Sequence, residues 1–260
     1  MSQFARLVEH MGSDDSIVQA ARISYNQAGY SEDPVKTRHL IRYLMRNWHT
    51  TPFEMVEFKF HIKAPIYVAR QWLRHRTASV NEVSARYTQI KDDEFYVPMA
   101  FRKQSTTNHQ GSDLSDPFDV ETNGAFVDLQ NNTCNLSFEN YKTLLDYGVA
   151  KELARGILPM CTMTEFYWKI DLHNLFHFIR LRMSDHAQIE IANLAKVIYE
   201  AIKPIVPMAC EAFEDYRLNA VTLTGPEILA IRTGDCKTLS KREQDEFKIK
   251  CLQIGIDVDH

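Results

Sequence analysis

The residues best suited to do chemistry stand in one string, Gln71-Trp72-Leu73-Arg74-His75-Arg76-Thr77-Ala78-Ser79-Val80-Asn81-Glu82-Val83-Ser84-Ala85-Arg86-Tyr87. Within residues 65–90, Arg70, Arg74, Arg76 and Arg86 stand against one acid, Glu82, a local charge of +3. The whole chain of 260 residues carries −4, which leaves −7 for the rest. A guanidinium fork binds phosphate through paired N–H groups and keeps its charge when partly desolvated. The serines, Asn81 and Glu82 could read the edges of a base or ribose. Positive charge confined to one short segment of an acidic chain fits a small anionic ligand. The same segment, with Trp72 and Tyr87 interleaved, could also serve a nucleic-acid-binding module. Against that reading, such modules are usually basic overall, and no known nucleic-acid motif occurs.

The elements that must position this string can be read around it. Residues 14–24 and 35–48 have apolar positions at helical spacing. Thr51-Pro52-Phe53-Glu54 reads as a capping box, with Thr51 as N-cap and Glu54 at N3. VEFKFHI (56–62) alternates as a half-buried strand. Pro65 opens a helix over IYVARQWLRHR, which would place Gln71, Arg74 and His75 on one face. It would also make Arg70 and Arg74 like-charged i,i+4 neighbours, a pairing that an anion between them would relieve. Ser79 and Glu82 could instead form a capping box of their own. The polar stretch 101–125 reads as a mobile surface loop. Residues 126–147 are helical and stop at Gly148. KELARGIL ends at Pro159, and the aromatic CTMTEFYWKI alternates as a strand. Residues 172–183 and 186–203 are helical, broken at Ser184-Asp185. Ser240 and Glu243 cap a last helix. Helices and strands mix without βαβ regularity, so the expected fold class is α+β.

Several chemistries are excluded or weak. Nine glycines include no GxG, and neither GKS nor GKT occurs, so the dinucleotide fingerprint and the Walker A loop are absent. Five cysteines, odd in number and without CxxC, argue for a reducing cytoplasm and against a disulfide framework. No apolar run is long enough to span a bilayer, and the N-terminal MSQFARLVEHMGSDD lacks a secretory apolar core. His173 and His177 have the spacing of a helical metal site, but no third ligand completes a set, so no metal is expected. Trp48, Phe53, Phe58 and Phe60 read as core, Cys161 as a buried structural thiol, and Asp92-Asp93-Glu94 as a solvated turn.

Arg74-His75-Arg76, followed after seven residues by Ser84, resembles the RHR-x7-S signature of the flavin-dependent thymidylate synthases. His49-Thr50-Thr51-Pro52-Phe53-Glu54 resembles that family's H-x-T-P-F-E block, and Lys63-Ala64-Pro65 leads into the signature as it does there. Leu153-Ala154-Arg155-Gly156-Ile157-Leu158-Pro159 is similar to its A-R-x-x-L-P block. Leu181-Arg182 with His186-Ala187-Gln188-Ile189-Glu190-Ile191 is similar to its L-R…H-A-Q-x-E-I block. These blocks keep the family's order.

The resemblance implies conversion of dUMP to dTMP, with methylenetetrahydrofolate as one-carbon donor, NADPH as reductant and FAD as hydride carrier. It implies a homotetramer with active sites shared between subunits. It implies dUMP ligands at Gln71, Arg74, Glu82, Ser84, Arg86, Arg155 and Arg182, with Arg182 catalytic against the pyrimidine. It implies FAD contacts at Thr51, Arg74, His75, Arg76, Thr77 and Glu82. Where the family has Asn-Ala-Arg, this chain has Asp171-Leu172-His173; Asp171 and His177 are the FAD contacts expected there. The catalytic domain would cover residues 1–218, and residues 219–260 would be a helical extension. No cysteine lies in the signature. Activation of uracil C5 would therefore rest on charge stabilisation rather than thiolate addition.

Overall fold

The computed structural model describes residues 2–26, 33–91, 94–106, 111–184 and 186–256. The elements run β1 (Phe4–Met11), α1 (Asp14–Ile23), α2 (Pro34–Arg46), β2 (Glu57–Pro65), α3 (Ile66–Trp72), β3 (Ser79–Glu82), β4 (Lys103–Gln104) and β5 (Ser112–Asp113). They continue with α4 (Val120–Asp146), α5 (Lys151–Ala154), β6 (Met163–Asp171), α6 (Leu172–Arg182), α7 (Ile189–Ile202), α8 (Pro207–Phe213), α9 (Gly225–Thr233) and α10 (Lys241–Gln253). Two compact units result, Met1–Cys210 and Glu211–His260.

The first unit is built on an antiparallel sheet of order β1-β2-β6-β3. Alternation in β2 and β6 puts Phe58, Phe60 and Ile62 beside Ile170, Trp168 and Phe166 in register, all buried. Trp72 from α3 and Phe178 from α6 close over this face. Their ring centroids lie 4.7 Å apart, and Trp168 lies 5.2 Å from Trp72 and 4.9 Å from Phe178. Mixed helices around an antiparallel sheet make the fold α+β, as the sequence pattern implies.

This core positions the site because β2 and β6 each run straight into a helix. Pro65, at φ −60° and ψ 148°, turns β2 into α3. Asp171 caps α6, accepting from the Asn174 backbone N–H at 2.9 Å and from its side-chain amide at 2.7 Å. The two helices converge at their C-terminal ends, where the arginines stand.

The structure corrects several sequence expectations. Helix α3 stops at Trp72, so Arg74 and His75 lie beyond it and share no helical face with Gln71. The buried Trp72 anchors the helix end, and Leu73–Ala78 must carry the chain to the sheet edge at β3. Ser79 and Glu82 begin no helix; β3 pairs with β6, Val80 opposite Trp168. Thr51 is not an N-cap: Phe53 N–H donates to Thr50 O at 2.9 Å, which opens a 3-10 turn over Thr51–Met55. The stretch 101–125 is not one loop. It contains the β4–β5 pair and the start of α4, which is capped by Asp119 through a 2.8 Å bond from Thr122 N–H.

Trp48, expected in the core, is instead 63% exposed, whereas Phe53, Phe58 and Phe60 are buried. Helix α4 ends as expected before Gly148, whose φ of +82° is a conformation glycine adopts without strain. Cys161 is buried, with its sulfur 3.3 Å from that of Cys134. Burial, first, and Cys161 push the Cys134 thiol up to about 12. Asp92, Asp93 and Asp185 lie outside the described residues; Glu94, expected in a solvated turn, is only partly exposed and pairs with the buried Lys63 ammonium at 2.7 Å. Strand β1 has no counterpart among the sequence expectations.

The second unit has its own small core of Ala230, Leu239, Phe247 and Cys251. The Ser240–Glu243 capping box opens α10, and Lys250 reaches back to the buried Glu227 at 2.7 Å. No helix among the described residues is long and apolar enough to cross a membrane.

Candidate active site

The C-terminal ends of α3 and α6 meet at Arg182. Its Nε–H donates to His75 Nε2 at 3.0 Å, and Nη2–H donates to the Gln71 carbonyl at 3.2 Å. That carbonyl belongs to the last turn of α3, where a cation meets the negative end of the helix dipole. Both acceptors are neutral. No carboxylate among the described residues pairs with Arg182. Burial lowers the Arg182 pKa below its ordinary value, and a guanidinium keeps its charge in a protein.

His75 is held by its surroundings. Its ring sits edge-on to Phe178 at 4.9 Å and 6.0 Å from His177. Burial, then the charges of Arg182 and His177, push its pKa down to about 4. The imidazole is therefore neutral at neutral pH, with Nε2 free to accept. The pKa of His177 is lowered by burial and by Arg180, His173 and Arg182.

Two clefts open around this region. One, of about 530 Å³, is lined by Gln71, Arg182, Gln188, His186, Arg102 and Lys103. The Gln71 side-chain amide donates to the Gln188 side-chain carbonyl. The other, of about 660 Å³, is lined by Glu82, Ser84, Arg155, Lys91, Glu94 and Thr164. There Thr164 Oγ1–H donates to Glu82 at 2.5 Å, and Ser84 Oγ accepts the Arg86 backbone N–H at 3.3 Å. Among the described residues no imidazole or carboxylate is hydrogen-bonded to Ser84 Oγ, which suits a hydrogen-bonding role better than a nucleophilic one. The two clefts share no lining residue. The residues expected to bind one nucleotide are thus divided: Gln71 and Arg182 in the first, Glu82, Ser84 and Arg155 in the second.

The remaining expected residues are placed as follows. Arg74, Arg76 and Thr77 are exposed between α3 and β3, and neither arginine has an ion-pair partner among the described residues. Arg86 is half-exposed and pairs with Glu152 at 3.3 Å, an interaction of little energetic weight in solvent. Thr51 is exposed on its 3-10 turn. Both Asp171 oxygens are occupied as the α6 cap. Among the described residues no group of three or more His, Cys, Asp and Glu is placed to hold a metal ion, and His173 and His177 gain no third partner.

Sequence reasoning missed the wall opposite Arg182. Arg102 comes from the supposed loop, and its Nη2 pairs with the buried Glu190 carboxylate at 2.7 and 3.0 Å. Lys103 follows, paired with Asp116 at 2.6 Å. Gln188 and Glu190 lie inside a recognised block, yet nothing local to them says that they meet Gln71 and Arg102. A buried acid at Glu190, on the core-facing side of the apolar helix α7, was the one signal that a distant cation must reach it.

Residues 6–208 match the model of the family described as thymidylate synthase complementing protein. A protein of Dictyostelium discoideum named flavin-dependent thymidylate synthase is 52% identical over 244 residues, covering 92% of this chain and 78% of that protein. One of Treponema denticola with the same name is 46% identical over 261 residues, covering 98% and 96%. Among solved structures, the UMP/dUMP methylase PolB from Streptomyces cacaoi, bound with 5-Br dUMP, superposes with a TM-score of 0.75. It is 34% identical, and the match covers 83% of this chain and 96% of that one.

Proposed function

The chain belongs to the flavin-dependent thymidylate synthase family, and on that premise we propose that it catalyses the reductive methylation of dUMP to dTMP. Methylenetetrahydrofolate is the one-carbon donor, NADPH the reductant and FAD the hydride carrier. The observation that carries this reading is Arg182: a fixed guanidinium, held by two neutral acceptors and open to a cleft.

Uracil C5 is a weak nucleophile. Positive charge fixed against the N3–C4–O4 side stabilises the negative charge that develops there as C5 forms its bond to the methylene carbon. A salt-bridged arginine would offer much less. Gln71, Arg74, Glu82, Ser84, Arg86 and Arg155 hold the rest of the nucleotide, the arginines on phosphate and the hydroxyl and carboxylate on sugar or base. FAD, when bound, supplies the hydride that reduces the transferred carbon. The donor set fits that cofactor. Arg74 and Arg76 are exposed guanidiniums without carboxylate partners among the described residues, as a pyrophosphate requires. Thr51, His75 and Thr77 are the further contacts in this assignment. Asp171 suits a ribose hydroxyl rather than phosphate, since its carboxylate can only accept, and His177 stands beside His75.

The division of the nucleotide ligands between two clefts supports a homotetramer in which one subunit supplies Gln71 and Arg182 and another supplies Ser84 and Arg155. The reading assigns nucleic acid no part and places the enzyme in the cytoplasm. It also keeps residues 1–218 as the catalytic domain and 219–260 as an extension of it. The reaction is tested by chromatographic assay of dTMP in the complete mixture and with FAD, NADPH or the folate each omitted. Product only in the complete mixture supports the reading. Product without FAD, or none in any mixture, overturns it.

A further inference from the structure

We propose that His75 is a positioning residue, whose Nε2 accepts from Arg182 Nε–H and so aims the guanidinium into the cleft shared with Gln71. This rests on the dUMP methylation reading, and it adds to the flavin contact assigned above a second role, which acts through Arg182.

A guanidinium is a rigid plane at the end of a flexible arm. Arg182 is the last residue of α6, where the helix itself no longer constrains the side chain. Two hydrogen bonds fix the plane: Nε–H to His75 at 3.0 Å and Nη2–H to Gln71 O at 3.2 Å. That leaves both Nη1 protons and one Nη2 proton for a ligand. The Gln71 bond alone would act as a pivot; the His75 bond stops the rotation.

The choice of acceptor matters. A carboxylate at position 75 would hold Arg182 more strongly but would cancel the charge the site needs. An imidazole holds it and leaves the charge intact. The imidazole must then carry its proton on Nδ1, and the ring must stay in place. Its backbone N–H bonds to Trp72 O at 3.0 Å, and its edge packs on Phe178 at 4.9 Å. Burial and the neighbouring Arg182 keep the ring neutral. The aromatic core thus bears on Arg182 through His75, since Phe178 touches Trp72 and Trp168 as well.

The test uses His75→Leu, His75→Gln, Arg182→Ala and the double variant His75→Leu/Arg182→Ala. Glutamine places a side-chain oxygen where Nε2 stands and cannot take up a proton. Bound flavin is measured by visible absorption, dUMP affinity by titration and turnover by dTMP formation. His75→Leu is expected to lower turnover by at least about tenfold. His75→Gln is expected to recover to within a few-fold of wild type, and the double variant to be no worse than Arg182→Ala alone. Equal defects in both His75 variants with parallel loss of flavin, or additive effects in the double variant, would show that His75 acts through the flavin contact alone and overturn the proposal. A readout independent of the reaction is the tautomer of His75 in the free protein, measured by ¹⁵N-histidine NMR. A proton on Nδ1 that is perturbed by Arg182→Ala supports the proposal; a proton on Nε2 refutes it. Failure of the wild type to make dTMP would overturn the functional reading and leave the tautomer result standing.

Discussion

At the residue scale, the proposed function rests on the Arg182 charge and on its two neutral hydrogen-bond acceptors. Removing a fixed donor to developing negative charge costs about 10²–10³ in rate. Arg182→Ala is therefore expected to lose that much turnover while retaining bound flavin, as read by stopped assays alongside the visible spectrum. Near-normal turnover in that variant would remove Arg182 from the mechanism. Ser84 offers the converse case. Among the described residues only the Arg86 amide bonds its Oγ, and the proposed role is that of a hydrogen-bonding ligand. Ser84→Ala should cost about tenfold, the worth of one hydrogen bond, mostly in KM for dUMP; complete loss of turnover would instead mark a nucleophile. The identities of these residues were legible because the signature is a contiguous string. Their grouping was not. Nothing in Ser84, Arg155, Gln71 and Arg182 says that the first two line one cleft and the last two another, because that depends on β3 lying at the sheet edge.

At the element scale, the site is placed by two strand-to-helix junctions and one long-range ion pair. Periodicity found β2, β6, α6 and α7 because their buried residues repeat at 2 or at 3.6. It overran α3 because the arginines after Trp72 are good helix formers, and propensity yields to the demand that the chain reach the sheet edge. It passed over β1, an edge strand whose residues are mostly half-exposed or exposed. The Arg102–Glu190 pair fastens the β4–β5 region to α7. Arg102→Met leaves Glu190 buried and unpaired and should destabilise the protein by about 3–5 kcal/mol, whereas Arg102→Met with Glu190→Leu should recover most of it. Thermal unfolding of both variants decides this, and equal losses would contradict it.

A second element junction is sensitive to pH. Asp14, at the start of α1, accepts from Met208 and Ala209 N–H at 2.8 and 3.0 Å, at the start of α8. Burial raises its pKa to about 6, against the pull of those two bonds. A raised carboxyl favours the fold while protonated, so its contribution is complete below the ordinary value of 3.8 and fades as pH rises through about 6. The melting temperature of the wild type, relative to Asp14→Asn, should fall by several degrees between pH 4 and pH 7. A difference that does not change with pH would contradict this.

At the scale of the whole molecule, the proposed nucleotide ligands of one chain line two clefts rather than one. If each site joins the first cleft of one subunit to the second cleft of another, two inactive variants can repair each other. Co-refolding Arg182→Ala with Arg155→Ala should restore roughly a quarter of the sites by random assortment in a symmetric assembly. No recovery, from partners shown to mix, would place every ligand in one subunit. The claim on which all of this depends is that flavin and nucleotide occupy adjoining positions built from the arginine signature. The most direct test is a titration of the FAD-loaded protein with dUMP, followed by the visible absorption of the flavin. A saturable spectral change, absent with an unrelated nucleoside monophosphate and lost in Arg182→Ala, is the expected result. A bound flavin that ignores dUMP at every concentration would contradict the account.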